Sequence, residues 1–400
     1  MSATSAGTRS PSPDATRDAT GGKPPALLVS EPQLGEDEKR ALCETIDSGW
    51  ITMGGRVRAF EEEFARRHGA ADAAAVGSCT AALHLILAAL DLGPGDEVLV
   101  PSLTFVATAN SVLYVGATPV FVDIVSLARP LLSLADAEAK LTPRTKAVIL
   151  VHFAGKLADR EAWQTFARRH GLYLVEDAAH VIGLEGVGTF GEAAAFSFYG
   201  NKNMTTAEGG MVLARSPELL ERVRRLRGHG MTTGTFERLL ARHADYDVTM
   251  LGYNYRMDEL RAAIGLVQLR HLDAWNEKRR VLRAAYEAEL PRECPAVLIP
   301  FSDDEPSANH IMPALLPKGV SRRGVAASMR EAGVQTTMHY PPVHQLSFYR
   351  DRFPDRALPV TEEFCDCEIT LPLHPKMRQS DVVRVVETLA DAIRAEGGKP

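Results

Sequence analysis

Long apolar runs, a surplus of positive charge and a cysteine framework are all missing from this 400-residue chain, and each absence removes a class of function. No apolar segment approaches the ~18 to 20 residues that a bilayer-spanning helix requires, so a membrane role is not expected. Lys and Arg number 45 against 51 Asp and Glu, for a formal net charge of -6, which leaves no basic excess for a phosphate backbone. Nucleic acid is therefore not an expected partner. The five cysteines, Cys43, Cys79, Cys294, Cys365 and Cys367, are odd in number and scattered, which suits a reducing, cytoplasmic compartment better than a disulfide framework. Only Cys365 and Cys367 lie close together; without a second pair at ligand spacing, no metal is expected. Residues 1–25 are rich in Ser, Thr, Ala, Gly, Pro and Asp and lack an apolar run. They resemble neither a signal peptide nor an anchor and read as a disordered tail.

What is present is ordinary globular composition, 45% apolar and 24% charged, on a chain longer than one core usually serves. A larger and a smaller unit are expected. Apolar runs after residue 70 alternate with helical patterns, the signature of an α/β sheet built from crossover units. "DEVLVPS", "TPVFVDI", "TKAVILVHF" and "GLYLVEDAA" read as strands, the last ending in an acid, while "AALHLILAALDLG" has helical spacing up to Gly93. "ELLERVRRLRGHG" and "MDELRAAIGLVQLRHLDAWNEKRRVLRAAYEAEL" read as amphipathic helices, the second leaving the larger unit. The division is placed near residue 275, giving 26–274 (with an N-terminal arm) and a compact α+β unit over 275–400. In the latter, "SANHIMPALLP" and "VQTTMHYP" read as short strands, and "SRRGVAASMREAG" and "SDVVRVVETLADAIRAEGG" as helices.

Three features carry possible chemistry. Asp177 closes a hydrophobic strand, where open parallel sheets place ligand contacts, although an acid there is more often a cap or turn residue. Lys202 follows another apolar strand in "FSFYGNKNMTTAEGG"; a solvated loop lysine is the plain alternative. "GSCT", at 77–80, precedes a helix and offers either backbone N–H groups for a phosphate or a simple N-cap.

Taken in order, a phosphate turn, an aromatic-bearing loop at "PSLTFVATAN", a strand-end acid and a lysine shortly after it resemble fold-type I pyridoxal-phosphate enzymes. The longer stretches "GPGDEVLVPSLTFVATANSVLYVGATPVFVDI", "VEDAAHVIG", "FSFYGNKNMTTAEGGMV" and "LGYNYRMDELRAAIGLVQL" resemble the sugar aminotransferases of the DegT/DnrJ/StrS family. The likeness runs from about residue 28 to the end, through "DSGWITMGGRVRAFEEEFA", "HYPPVH" and "LPLHP". It implies a large domain with a mainly parallel seven-stranded sheet between helices and a smaller C-terminal α+β domain.

The resemblance also implies roles. Lys202 would carry the cofactor as a Schiff base and shuttle the proton, which requires that it be a free amine part of the time. Asp177 would keep the pyridine nitrogen protonated, a task an amide could not perform. Ser78, Cys79, Thr80 and Ser197 would hold the phosphate, and Phe105 would stack on the ring, unless it is a core residue. His180 would contact the cofactor's phenolic oxygen, a surface histidine being the alternative. Asn254 would reach the phosphate from a second subunit of a homodimer with a shared site. Trp50, Thr52, Arg227, His229, His339, Tyr340 and His344 fall where relatives approach the sugar nucleotide, though each could be structural. Departures from the family pattern at Cys79, at Gly54-Gly55 and at Ala207 bear on the shape of the phosphate cup and sugar pocket.

The expected reaction is ping-pong transamination through pyridoxal and pyridoxamine phosphate, from L-glutamate to a nucleotide-linked 4-keto-6-deoxyhexose, because "FYGNKNMTT" resembles members that aminate C4. A 3-keto hexose or keto-cyclitol acceptor uses the same machinery. Two other readings compete. A cofactor-dependent sugar dehydratase would have His in place of Lys202, and a non-catalytic regulator would not need Lys202, Asp177 and the phosphate turn together.

Overall fold

Short buried apolar runs form the strands of this protein, and many of its helices start where side chains can cap them. Ser78, Ser133, Asp159, Ser216, Asp258 and Ser321 each accept a hydrogen bond from an N–H of the first turn of the helix that follows. The computed structural model describes residues 26–234, 238, 245–302, 305–353 and 357–400, so the tail expected at 1–25 lies outside the described residues.

In chain order the first elements are α1 (Glu36–Asp47), α2 (Gly55–Arg67), β1 (Ala73–Val76), α3 (Cys79–Ala89), β2 (Glu97–Pro101), α4 (Ala107–Tyr114) and β3 (Thr118–Val122). Then follow α5 (Leu134–Ala139), β4 (Thr145–Val151), α6 (Arg160–His170), β5 (Tyr173–Asp177), β6 (Ala193–Ser197), β7 (Gly210–Ala214) and α7 (Pro217–Arg227). The remainder comprises α8 (Glu259–Glu293), β8 (Met312–Leu315), α9 (Arg322–Glu331), α10 (Ser347–Arg352), α11 (Pro359–Cys367), β9 (Glu368–Leu371) and α12 (Gln379–Ala395).

Strands β1 to β7 form one seven-stranded sheet in the order β1-β7-β6-β5-β4-β2-β3, parallel except for β7, which runs antiparallel to both neighbours. This is the α/β, fold-type I arrangement expected from the motifs. Alternation along each strand feeds two cores. Val98, Val100, Ile149, Val175 and Val212 pack against α3, α4 and α7 on one face. Leu99, Val148 and Leu174 pack on α6, and Phe196 and Leu213 on α2 and α8, across the other face. Each such buried side chain contributes about 1.5–3 kcal/mol.

The 35-residue helix α8 belongs to two cores. Ala262, Leu269 and Leu272 in its first half sit under the large sheet, and Leu282, Tyr286 and Leu290 in its second half join a separate cluster with α9, α12 and the β8-β9 pair. The partner of β8 is "EITL" at 368–371, whereas "VQTTMHYP", expected as a strand, makes only isolated bridges, Thr337 with Thr370 and Val334 with Leu27. "VQTTMHYP" has the β-prone composition, yet it is joined to β9 only by the Thr337–Thr370 bridge and by bonds from His339 to the Glu368 carboxyl and the Thr370 hydroxyl, not by a ladder. The arm also differs from expectation: Leu27 bonds with Gly333 and Gln335 and packs on the smaller cluster, not on the large sheet.

Candidate active site

The carboxyl ends of β4, β5 and β6 finish at Val151, Asp177 and Ser197, and a cavity of about 430 Å³ opens above them. Such a sheet edge, outside the ends of parallel strands, is where this architecture binds ligands. Ser78, Cys79 and Thr80 enter the cavity from the start of α3, Phe105 from the loop after β2, and Lys202 from the turn after β6.

Asp177 is buried, and its carboxylate is fixed from two sides. Thr104 donates to the Thr108 hydroxyl at 2.7 Å, which donates to Asp177 Oδ2 at 2.8 Å, while the Ala179 N–H reaches Oδ1 at 3.3 Å. Burial pushes the acid's pKa up, opposed by these hydrogen bonds and by the charges of Lys202 and His152. An acid in that condition is best satisfied by a cation placed against it. Lys202 is pushed the other way: burial brings its amine down to about 8 against the pull of Asp177 and Cys79. About one tenth of it is then free amine at pH 7.

The phosphate turn depends on close backbone approach. The N–H groups of Cys79 and Thr80, in the first turn of α3, have no intrahelical acceptor. Gly210 opens β7 opposite both Val76 and Ser197, and a Cβ at this position would lie 2.5 Å from the Ser78 carbonyl carbon and 2.7 Å from the Cys79 nitrogen. Only glycine lets the strand pass there. Ser197 Oγ accepts from the Tyr199 N–H at 3.4 Å and faces the same cavity. Burial holds the Cys79 thiol well above its usual range, so it stays protonated.

Phe105 lines the cavity and is 58% exposed, so core packing does not account for it; its ring meets Tyr340 at 5.9 Å. His180 is buried, not on the surface. Its Nδ1 accepts the Ala154 N–H at 3.3 Å, which puts the proton on Nε2, 3.0 Å from the Tyr340 hydroxyl. His339 and Tyr340 line the cavity too, with His339 Nδ1 2.9 Å from the Thr370 hydroxyl and burial bringing that imidazole down to about 3.

The other expected substrate contacts are not brought to this cavity by the protomer. Arg227 is buried, with its guanidinium donating to Glu61 and to the Ala75 carbonyl. His344 is buried between Ser102, 2.6 Å from Nδ1, and Glu362, 3.1 Å from Nε2. Trp50 donates its indole N–H to the Met53 carbonyl at 3.4 Å, and Thr52 and His229 are exposed. Asn254 is exposed, on a strip that bridges Gly228 and joins the phosphate turn through Tyr255 and Gly77.

Three groups at the site escaped sequence reasoning. Thr108 lies inside "PSLTFVATAN", and its acid partner is 69 positions away. Asn203 and His310 meet behind Lys202, and His310 sits in "SANHIMPALLP", which reads only as a short strand.

The model of the DegT/DnrJ/EryC1/StrS aminotransferase family matches residues 32–390. The spore coat polysaccharide biosynthesis protein SpsC of Bacillus subtilis is 38% identical over 380 residues, covering 92% of this chain and 97% of that protein. Spr1654 of Streptococcus pneumoniae, solved in a PLP form, superposes with a TM-score of 0.85 at 27% identity, over 93% of this chain and 99% of that one. Its PMP form gives the same TM-score and identity, over 92% and 100%. DesI, solved in the presence of its TDP-sugar product, has a TM-score of 0.83 at 31% identity, over 93% and 94%. The donor set fits the cofactor that Spr1654 carries: a buried carboxylate, a depressed lysine amine, free N–H groups at a helix start and a glycine cradle beside them.

Proposed function

This chain belongs to the DegT/DnrJ/EryC1/StrS family and is a pyridoxal-phosphate-dependent sugar aminotransferase, and we propose that it moves the amino group of L-glutamate to a nucleotide-linked 4-keto-6-deoxyhexose, giving a 4-amino sugar. The observation that carries the reading is the pairing of the Lys202 amine with the Asp177 carboxylate, both desolvated on one cavity at the sheet's carboxyl edge. A nucleotide sugar is supported by DesI and its TDP-sugar product, and the C4 position by "FYGNKNMTT".

The bound cofactor supplies an electron-poor ring and a carbon that takes an amino group from one substrate and gives it to the next. Lys202 Nζ would hold the cofactor and, as a free amine, would move the proton at the donor's α-carbon; burial brings that amine down to about 8, within reach of neutral pH. Asp177, locked by Thr108 and Ala179, holds the ring nitrogen's proton. Ser78, Cys79, Thr80 and Ser197 hold the phosphate at the positive end of α3. Phe105, exposed in the cavity, would lie against the ring, and the bonded pair His180–Tyr340 borders the cavity with His339. Asn254 would reach the phosphate of a second copy, making a homodimer the working unit, and each copy acts as a large and a smaller domain divided near residue 275, with the arm around Leu27 packed on the smaller one.

The test offers glutamate to the purified yellow protein and then a panel of keto sugar nucleotides to the bleached form. The absorption band disappears with glutamate and returns fastest with a 4-keto-6-deoxyhexose. Fastest return with a 3-keto hexose or a keto-cyclitol moves the reaction to that acceptor, and a colourless protein indifferent to glutamate defeats the reading.

A further inference from the structure

Lys202 does not face its cavity alone. Directly behind the amine, outside the cavity lining, His310 is buried just before β8, with its Nε2 3.4 Å from Lys202 Nζ. We propose that His310 is a positioning residue: its bare Nε2 accepts a hydrogen bond from the Lys202 amine whenever that amine is free, so the amine is held in place with its lone pair unused. The proposal rests on the aminotransferase reading and adds to it a residue that touches neither substrate nor cofactor.

The tautomer follows from a chain of bonds that runs in one direction. Asn276 Nδ2 donates to the Ile182 carbonyl at 3.1 Å, which leaves its Oδ1 to accept from Asn203 Nδ2 at 2.8 Å. Asn203 Nδ2 also donates to the Ala308 carbonyl at 2.7 Å, so both of its protons are committed and its Oδ1 is turned to His310. That oxygen, 2.9 Å from His310 Nδ1, can only accept. The imidazole proton is therefore on Nδ1, and Nε2 presents a lone pair to Lys202. His180, whose ring lies 4.3 Å from that of His310, is held in the opposite tautomer by Ala154 and Tyr340 and has no nitrogen left for the lysine.

The surroundings keep His310 neutral. Around it stand Lys202, His180 and His339, and Arg279 donates to its own carbonyl at 3.3 Å; burial and these groups together hold the imidazole well below its ordinary range. Around the amine itself stand Asp177 from β5, Cys79 from α3, His180 from the turn after β5, and His310. His339 and Tyr340 approach from the loop before α10. Of these, Asp177 and Cys79 act on the amine through charge, and His310 is the one that lies within hydrogen-bond distance of it. A free amine left without a fixed acceptor spends its time in several rotamers, and misplacement of a proton-transfer group by about 1 Å costs on the order of 100-fold in rate.

Paired amide substitutions separate positioning from bulk structure. His310→Gln can place its amide oxygen where Nε2 was, whereas His310→Asn reaches only the Nδ1 position. With glutamate, the band of the His310→Asn protein is expected to bleach about 100-fold more slowly at unchanged glutamate KM, and that of His310→Gln within about tenfold of the unsubstituted protein. The second readout uses cofactor-free protein: the pH dependence of Lys202 labelling by trinitrobenzenesulfonate, followed on the Lys202 peptide. Loss of the acceptor destabilises the ammonium, so the labelling midpoint falls in His310→Asn and recovers in His310→Gln. Should His310→Asn fail to fold, Asn203→Ala, which frees the tautomer while keeping the imidazole, is compared with His310→Gln in its place. Equal impairment of the asparagine and glutamine proteins, or an unmoved labelling midpoint, overturns the proposal. Loss of the aminotransferase reading looks different, since there the unsubstituted protein itself would be colourless and indifferent to glutamate.

Discussion

Two side chains at the heart of the cavity are pushed away from their ordinary ionisation in opposite senses, and each can be tested alone. Lys202→Ala removes both the anchor and the base, and turnover of keto sugars is expected to fall by about 10⁴-fold, read as band return in the second half-reaction. Asp177→Asn keeps the shape and can still accept from Thr108, yet it cannot hold a proton on a ring nitrogen; the glutamate half-reaction is expected to slow by on the order of 10² to 10³-fold with the melting temperature nearly unchanged. For the lysine the sign of the pH effect is fixed by its lowered pKa. The free amine is the reactive form and grows as pH rises, so in cofactor-free protein the labelling of Lys202 turns on around pH 8, while ordinary surface lysines follow near 10.5. A Lys202 midpoint at the ordinary value would mean that the amine is solvated. Both residues stood out in the sequence through the order of the motifs and the family resemblance, since alone a strand-end acid reads as a cap and a loop lysine as a solvated side chain. Thr108 and His310 did not: their roles depend on which lone pair faces which proton, and that is settled between segments 69 and 108 positions apart.

Among the elements, β7 and α3 approach closely at Gly210, beside the turn proposed to hold the phosphate. Gly210→Ala would drive a methyl group into the Ser78–Cys79 peptide, so either α3 or β7 must shift. The expected cost is about 1–3 kcal/mol of stability, and a tenfold or greater loss of affinity when cofactor-free protein is titrated with pyridoxal phosphate. Unchanged affinity would detach the turn from phosphate binding. Strands β2 to β5 could be read directly because their buried runs are continuous and rich in branched residues, such as "AVILV" in β4, whereas the alanine runs of β1 and β6 carry no such signal. The two-stranded sheet could not. "VQTTMHYP" has β-prone composition, yet the partner of β8 is the four-residue "EITL", where Glu368 is buried and its carboxyl is pushed up to about 8. A buried glutamate breaks the apolar pattern by which a strand is recognised, and here it is retained because it accepts from the His339 N–H and the Thr370 hydroxyl, fixing the loop that carries Tyr340.

At the scale of the whole molecule, one protomer leaves an expected cofactor contact facing outward. Asn254 is exposed, and beside it Leu251 is 86% and Val248 54% exposed, an apolar strip of the kind a second copy covers. The same strip is tied to the phosphate turn by the Gly77 N–H to Tyr255 carbonyl bond, so covering it would place two turns and two Asn254 side chains around a two-fold axis. Subunit mixing decides whether Asn254 serves its own site or its neighbour's. Asn254→Asp sets a carboxylate where a phosphate is expected, and Lys202→Ala removes the anchor, so each variant alone is inactive or nearly so. If Asn254 acts across the interface, a mixed dimer has one site with both residues intact and one with neither. Random reassociation of equal amounts then restores about a quarter of the original activity, since half the dimers are mixed and each has one working site of two. If Asn254 acts within its own protomer, every site in every dimer lacks one residue or the other, and mixing restores nothing.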